Sequence, residues 1–308
     1  MNLRTNKLVA LLSVAVAYGF AVASAAATVT LVGDSVSLLV KTFLADLVAT
    51  GVVFICSAVV DNSSMYDPYW SLAPPLMVWY WMDSLAVAWS LPVTIFFVAM
   101  CAWSLRLTCN CLLNWKHLGD EDWRYVGFRK RFGVWYWPVS LGAVHLFPTI
   151  IVFGCCIPAY TFIARGGVVE TWPWFLLGAT AMAGAFLLQL VADNQMRLFL
   201  QEHRGSRHVC STGLWGISRH PNYLGEILFW YGITACSWAT TAGKWTHIVF
   251  PLAMTALFLG YSIPAMEKRL LARRDGYSGI QKRIPMLIPR IGRPHEGEAP
   301  SDPTSEKR

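Results

Sequence analysis

The sequence predicts an all-α, polytopic transmembrane helical bundle of six to eight spans, with about seven as the central estimate. Three observations lead there. Of 308 residues, 55% are hydrophobic and only 14% charged. The mean hydropathy is +0.44. The apolar residues also gather into blocks of about 20, long enough to cross a bilayer, rather than into short alternating runs. The formal charge of +7 suits anionic headgroups or phosphorylated small molecules. Its basic residues flank apolar blocks and belong to no nucleic-acid module, so nucleic acid is not an expected partner. Cys56, Cys101, Cys109, Cys111, Cys155, Cys156, Cys210 and Cys236 mostly lie in or beside apolar runs without zinc-knuckle spacing. They are expected to pack as small, soft side chains, with no metal centre.

Arg4 and Lys7 precede the apolar stretch Leu8 to Ala26. It reads as a retained first helix or, with a processing site at Ala25 to Ala27, as a signal peptide. Leu38 to Val60 is the next span, and Asp46 within it faces either a polar interior or an interface. Asp61 to Pro75 reads as a polar and aromatic connection, because Pro68, Pro74 and Pro75 oppose one continuous helix. Leu76 to Leu105 is apolar again. Asp83 and Pro92 mark a break, giving one bent span or a short interfacial helix followed by a span. Residues 1–105 are therefore assigned to N-terminal membrane helices, a substrate-side half.

Residues 106–137 form a polar and aromatic connection. From Arg106 to Arg131 acids and bases alternate, as a headgroup-side lid or as a solvated loop with local ion pairs. Trp135, Tyr136 and Trp137 suit an interfacial belt. Residues 138–293 make a C-terminal membrane domain. It comprises Pro138 to Ile163 with a break near Pro158, a turn at Arg165-Gly166-Gly167, Trp172 to Val191, a basic connection from His203 to His220, Leu224 to Ala242, a turn at Gly243-Lys244, and Thr246 to Ile263. Ile284 to Ile291 is too short and proline-broken to span. Residues 294–308, from Pro294, read as a flexible tail.

The basic connections after Leu105 and Met196, together with the basic C-terminal region, fit one cytosolic side. Three simple spans before the first connection would nevertheless place it opposite Arg4 and Lys7. An extra half-span, loss of the first segment, or a different division at Asp83 to Pro92 would each restore agreement.

The sharpest polar stretch runs from Gly213 to Glu226. Pro221 suits a first helical turn. Amides exposed at that start, reinforced by Arg219 and His220, suit a phosphate or another anion. Asn222 and Glu226 share a face, as do Asp193 and Arg197. Gly225 leaves room for a closely packed helix or a flat ligand. The same residues also read as an interfacial anchor, with Arg219 on lipid headgroups and Asn222 capping locally. Asp193 and Arg197 likewise read as an interfacial ion pair.

Ala192-Asp-Asn-Gln195, Gly213-Leu-Trp-Gly216, Ser218-Arg-His-Pro-Asn-Tyr-Leu-Gly-Glu226 and Pro264-Ala-Met-Glu-Lys-Arg269 together resemble the C-terminal region of the steroid 5-alpha-reductase-like membrane oxidoreductases. The resemblance is nearest to the branch containing a DUF1295 domain and covers about Gln189 to Pro289. It implies NADPH-dependent reduction of a carbon–carbon double bond in a hydrophobic substrate, an enone lipid or a steroid-like ring. Carried onto this chain, it implies that Asp193, Arg197, Arg219, Asn222, Tyr223 and Glu226 frame the cofactor. His220 is a further phosphate-binding or acid candidate or simply holds a cap position, and Arg273, Arg274, Lys282 and Arg283 around Tyr277 form a second phosphate clamp or hold anionic lipids. Tyr223, Glu226 and Glu267 are the catalytic candidates, and the proton donor stays open among them. The resemblance does not extend to the family's N-terminal substrate-selecting elements. No soluble dinucleotide-binding fingerprint occurs, since Gly213-Leu-Trp-Gly216 is not Gly-x-Gly-x-x-Gly.

Two other readings stay open. Arg219-His-Pro-x-Tyr-x-Gly225 is similar to a motif of the isoprenylcysteine carboxyl methyltransferase group, which implies an S-adenosylmethionine-dependent membrane enzyme. A noncatalytic lipid-binding membrane protein is the other. The expected partners are a hydrophobic small molecule or lipid substrate and membrane lipids. The expected location is the endoplasmic reticulum of a eukaryote or the inner membrane of a bacterium.

Overall fold

The computed structural model describes residues 3–289, so the tail from Pro294 lies outside the described residues. Helix α1, Lys7–Val32, starts where the Asn6 side chain accepts from the amides of Leu8 and Val9. It reverses at Gly33, whose φ of 69° suits glycine. Helix α2, Leu38–Val60, is capped by Ser37 and has the bounds its apolar run predicts.

The next segment departs from expectation. Helix α3, Tyr69–Ser84, begins inside the predicted connection and runs through Pro74 and Pro75. Two prolines remove two intrahelical donors. Packing compensates, because Tyr69, Ala73, Met77, Val78 and Trp81 are all buried and α3 lies against two later helices, α4 and α7. Helix α4, Leu91–Asn114, starts at the Ser90 cap with Pro92 in its first turn, so Pro92 opens a helix instead of bending one. It also runs nine residues past Leu105, which puts Arg106 on a bundle helix, where a loop was expected.

Helix α5, Trp123–Phe132, follows an Asp122 cap. Helix α6, Tyr136–Val139, a π-helical turn at Ser140–Leu146 and α7, Phe147–Ala164, then form a nearly continuous rod. Helix α8 is Trp172–Glu202 and α9 is Pro221–Trp238. Helix α10, Val249–Leu257, passes through a second π-helical turn, Phe258–Ser262, into α11, Ile263–Arg273. The short α12, Tyr277–Arg283, follows. Two predicted domain boundaries, after Leu105 and after Trp137, fall inside these helices.

Among the described residues, six helical stretches are long and apolar enough to cross a bilayer, in keeping with an integral, multi-pass membrane protein. Helices α3 and α9 traverse the bundle beside them. Contacts sort the connections onto two ends. At the first end Arg4 donates to the Val60 carbonyl (2.8 Å) and Lys7 to the Leu113 carbonyl (2.9 Å). There, too, Arg269 lies over the Trp123 ring and the Arg219 amide donates to the Pro285 carbonyl. At the opposite end the Glu170 amide donates to the Ala239 carbonyl and Arg165 to the Thr241 hydroxyl. From end to end the bundle is crossed by α1, α2, α3, α4, α5–α7, α8, α9 and α10–α11, of which α3 and α9 are not among the six bilayer-length stretches. Four of them precede the connection Trp115–Asp122, which returns it to the end that holds Arg4 and Lys7. Of the three ways to restore agreement, this arrangement follows a different division at Asp83 to Pro92, with α3 and α4 as separate helices.

Candidate functional site

Helices α8 and α9 lie unusually close because glycines face each other. A Cβ on Gly178 would fall 2.6 Å from the Gly232 carbonyl oxygen, and one on Gly225 would fall 2.4 Å from Gln189 Cγ. That approach sets Gln189 and Asp193 of α8 beside Asn222 and Glu226 of α9, and Arg106 of α4 closes the group. Arg106 donates to Asp193 and reaches Glu226 at 3.9 Å; all three side chains are largely buried. Glu226 is fixed further by Trp103 Nε1 (3.0 Å), Gln189 Nε2 (2.8 Å) and Trp230 Nε1 (3.1 Å).

Three atoms here are buried without a partner: Asn222 Oδ1, Gln189 Oε1 and Arg106 Nε. Each such group costs about 1–3 kcal/mol when left unsatisfied. The residues that carry them, Arg106, Gln189 and Asn222, border a cavity of about 720 Å³ whose remaining wall is mainly apolar. Both π-helical turns contribute to it, through Val144 on one side and Phe258 and Tyr261 on the other. Such turns are rare and concentrate at functional sites.

A second polar group lies on the cavity wall: Tyr66, Asp67, Asp122, Arg124 and Tyr125. Tyr125 donates to Asp67, and Arg124 Nε donates to Asp122 at 2.7 Å. Burial pushes the Asp67 carboxyl up to about 6, against the opposing pull of the Arg124 guanidinium. A carboxyl so poised, linked to a phenol, can donate a hydrogen bond or a proton into an apolar space.

Of the residues singled out from sequence, Asp193, Asn222, Tyr223 and Glu226 line this cavity. Asp193 pairs with Arg106, while Arg197 four residues on turns to Asn194 (2.8 Å). Arg219, His220 and Glu267 gather elsewhere. Glu267 accepts from Arg219 (2.7 Å), Gln281 (2.8 Å) and His220 (3.0 Å), and Arg219 also donates to the carbonyls of Gln281 and Ile284. The amides of Arg219 and His220 donate to the Pro285 and Met286 carbonyls. The two residues before α9 are thus tied to the chain's own C-terminal strap, and the Arg219 guanidinium turns to Glu267. Burial holds the His220 imidazole below its ordinary range despite Glu267 beside it. Arg274 ties down the Ser206 and His208 carbonyls, and Arg273 is exposed.

Sequence reasoning missed Arg106, Gln189, Asp67, Arg124 and Tyr125 as site residues. For Arg106 a signal existed, since an arginine directly following an apolar block belongs either to a loop or to a bundle interior. Among the described residues no group of His, Cys, Asp or Glu is arranged to hold a metal ion.

Comparison with known proteins adds relatives but no solved counterpart, since no solved structure matches the chain. An uncharacterized protein of Schizosaccharomyces pombe is 23% identical over 263 residues, covering 76% of this chain and 74% of that one. Methanethiol S-methyltransferase 2 of Bradyrhizobium diazoefficiens is 37% identical over 79 residues, which is 25% of this chain and 27% of that enzyme. The family model for a protein of unknown function, DUF1295, matches residues 53–284, so the chain belongs to the DUF1295 family.

Proposed function

We propose that this protein is an NADPH-dependent membrane oxidoreductase that reduces a carbon–carbon double bond conjugated to a carbonyl in a hydrophobic substrate. The observation that carries the reading is the polar wall of Arg106, Gln189, Asp193, Asn222 and Glu226 in an otherwise apolar cavity of about 720 Å³. A nicotinamide carboxamide offers two N–H donors and one carbonyl acceptor, groups that the Asn222 amide and the Asp193 and Glu226 carboxylates on that wall are chemically suited to meet. When bound, NADPH supplies the hydride. The chain's own residues do the rest. Arg106 and the three donors on Glu226 hold this polar wall in place. The apolar wall excludes water. The Asp67–Tyr125 pair donates a hydrogen bond to the substrate carbonyl, drawing charge toward oxygen as the double bond is reduced. Basic connections crowd the same end of the bundle, which by the positive-inside rule faces the cytosol, the source of NADPH. Arg197 and Arg273 lie there for its phosphates.

The partial similarity to a methanethiol S-methyltransferase favours a second reading, transfer of a methyl group from S-adenosylmethionine. Equilibrium binding of NADPH and of S-adenosylmethionine to the purified protein separates the two. The expected result is NADPH binding that weakens in Asn222→Ala by about 1–3 kcal/mol, the cost of a buried hydrogen bond lost. Selective S-adenosylmethionine binding overturns the reductase reading. Binding of neither leaves a lipid-binding protein.

A further inference from the structure

The apolar wall of the cavity is open on one side. Of the side chains that line the cavity, the exposed ones are Ala143, Phe147 and Tyr261, the last two 46% and 45% exposed. Residues that border a cavity and are also open to the outside mark a gap in its wall. All three sit on or directly beside the π-helical turns, Ser140–Leu146 in the α5–α7 rod and Phe258–Ser262 in the α10–α11 rod. A π-turn interrupts the regular rows of side chains through which helices interlock, and each rod carries one at the gap.

The two rods touch nearer the opposite end of the bundle. There a Cβ on Gly154 would fall 2.9 Å from Phe250 Cδ1, and the Cys155 thiol donates to the Phe250 carbonyl at 3.4 Å. The rods run antiparallel, so Ala143, Phe147 and Tyr261 all lie on the same side of that contact, toward the basic end.

Depth and composition say what lies outside. Ala143 is six residues past Trp137 and Tyr261 six before Glu267, in each case about 9 Å of helix rise from the polar boundary. Between Leu141 and Ile163, and between Phe250 and Met266, neither rod has an Asp, Glu, Lys or Arg. Both stretches belong to segments long and apolar enough to cross a bilayer. The gap thus opens onto hydrocarbon, in the leaflet nearer the basic end.

We propose that the substrate is an amphipathic membrane lipid that enters sideways from this leaflet, between the two rods. Its polar end reaches the wall of Arg106, Asn222 and Glu226, and its chain stays in the gap and the bilayer beyond. A cavity of about 720 Å³ that also receives a nicotinamide ring would limit a substrate that had to be enclosed. With the chain left in hydrocarbon, its length is not limited, and no apolar surface has to pass through water. The proposal deepens the reductase reading and rests on it for the chemistry of the polar end, a carbonyl conjugated to a double bond.

The test is photolabelling of the full-length protein in phosphatidylcholine nanodiscs, with no nucleotide added, by a long-chain enone carrying a diazirine close to its carbonyl. Labelled residues are mapped by mass spectrometry. In wild type, Trp70 and Leu107, which line the cavity from the α3 and α4 sides, should be labelled together with the lipid-exposed Ile150. Ala143→Trp, which fills the gap from its rim, should lose the label at Trp70 and Leu107 and keep it at Ile150, the sign that the protein is still inserted. Tyr261→Ala, which widens the gap, should gain label at Trp70 and Leu107. A wild type labelled only at lipid-facing sites, interior label that persists in Ala143→Trp, or no gain in Tyr261→Ala overturns lateral entry. Because neither NADPH nor S-adenosylmethionine is present, these outcomes are independent of the cofactor-binding comparison that tests the reductase reading.

Discussion

Arg106 is the side chain on which the polar end of the cavity depends. It pairs with Asp193 and faces Glu226 with little water available to any of them. Arg106→Leu therefore leaves two buried acids facing each other, and thermal unfolding in detergent should register a loss of about 3–5 kcal/mol. Arg106→Leu combined with Asp193→Leu and Glu226→Gln should recover most of it, because the uncompensated charge is gone. A single variant as stable as wild type would mean that the acids tolerate each other's company. Asp67 works in the opposite sense. Its folded-state value of about 6 lies above the ordinary 3.8, so the folded protein binds more protons between these values. Its stabilising contribution is complete below 3.8 and is lost as pH rises through about 6. Asp67→Asn should thus be more stable than wild type at neutral pH by about 1–3 kcal/mol, with the difference vanishing toward pH 4. At this scale the sequence disclosed half of the site. Asn222 and Glu226 share a face by their spacing, but which charge meets Asp193 is decided by α4, far away in the chain.

Glycine, at the level of elements, decides how near α8 and α9 come. Gly178→Ala would press a methyl group against the Gly232 carbonyl, an obstacle that no side-chain rotation relieves. A loss of about 1–3 kcal/mol is expected from thermal melts, together with a fall in ligand affinity as Gln189 and Glu226 separate. An unaltered melting temperature would show that the two helices slide apart freely. Helix existence was legible wherever apolar runs stood between caps, as at Leu38–Val60 behind Ser37. Helix α3 was not, because Pro74 and Pro75 carry a local signal against helix that only packing on α4 and α7 outweighs. The π-helical turns left no trace at all, since an extra residue in a helical turn changes register without changing composition.

Read across the whole molecule, charge and topology now agree. Four passes precede the connection Trp115–Asp122, and every strongly basic connection falls on the end that also holds Arg4, Lys7 and the polar mouth of the cavity. The opposite end carries Asp34, Arg165, Glu170 and Lys244, a set without a basic excess. Lys and Arg are retained on the cytosolic side of short connections, so the basic end should face the cytosol. In a background cleared of exposed cysteines, Lys116→Cys and Arg204→Cys should react with a membrane-impermeant maleimide only when the cytosolic face is presented, and Lys244→Cys only from the other face. Labelling of Lys7→Cys and Lys116→Cys from opposite sides would mean that α3 does not count as a pass. The connection at Trp115–Asp122 would then lie opposite the N terminus, and a cavity opening there could not draw NADPH from the cytosol.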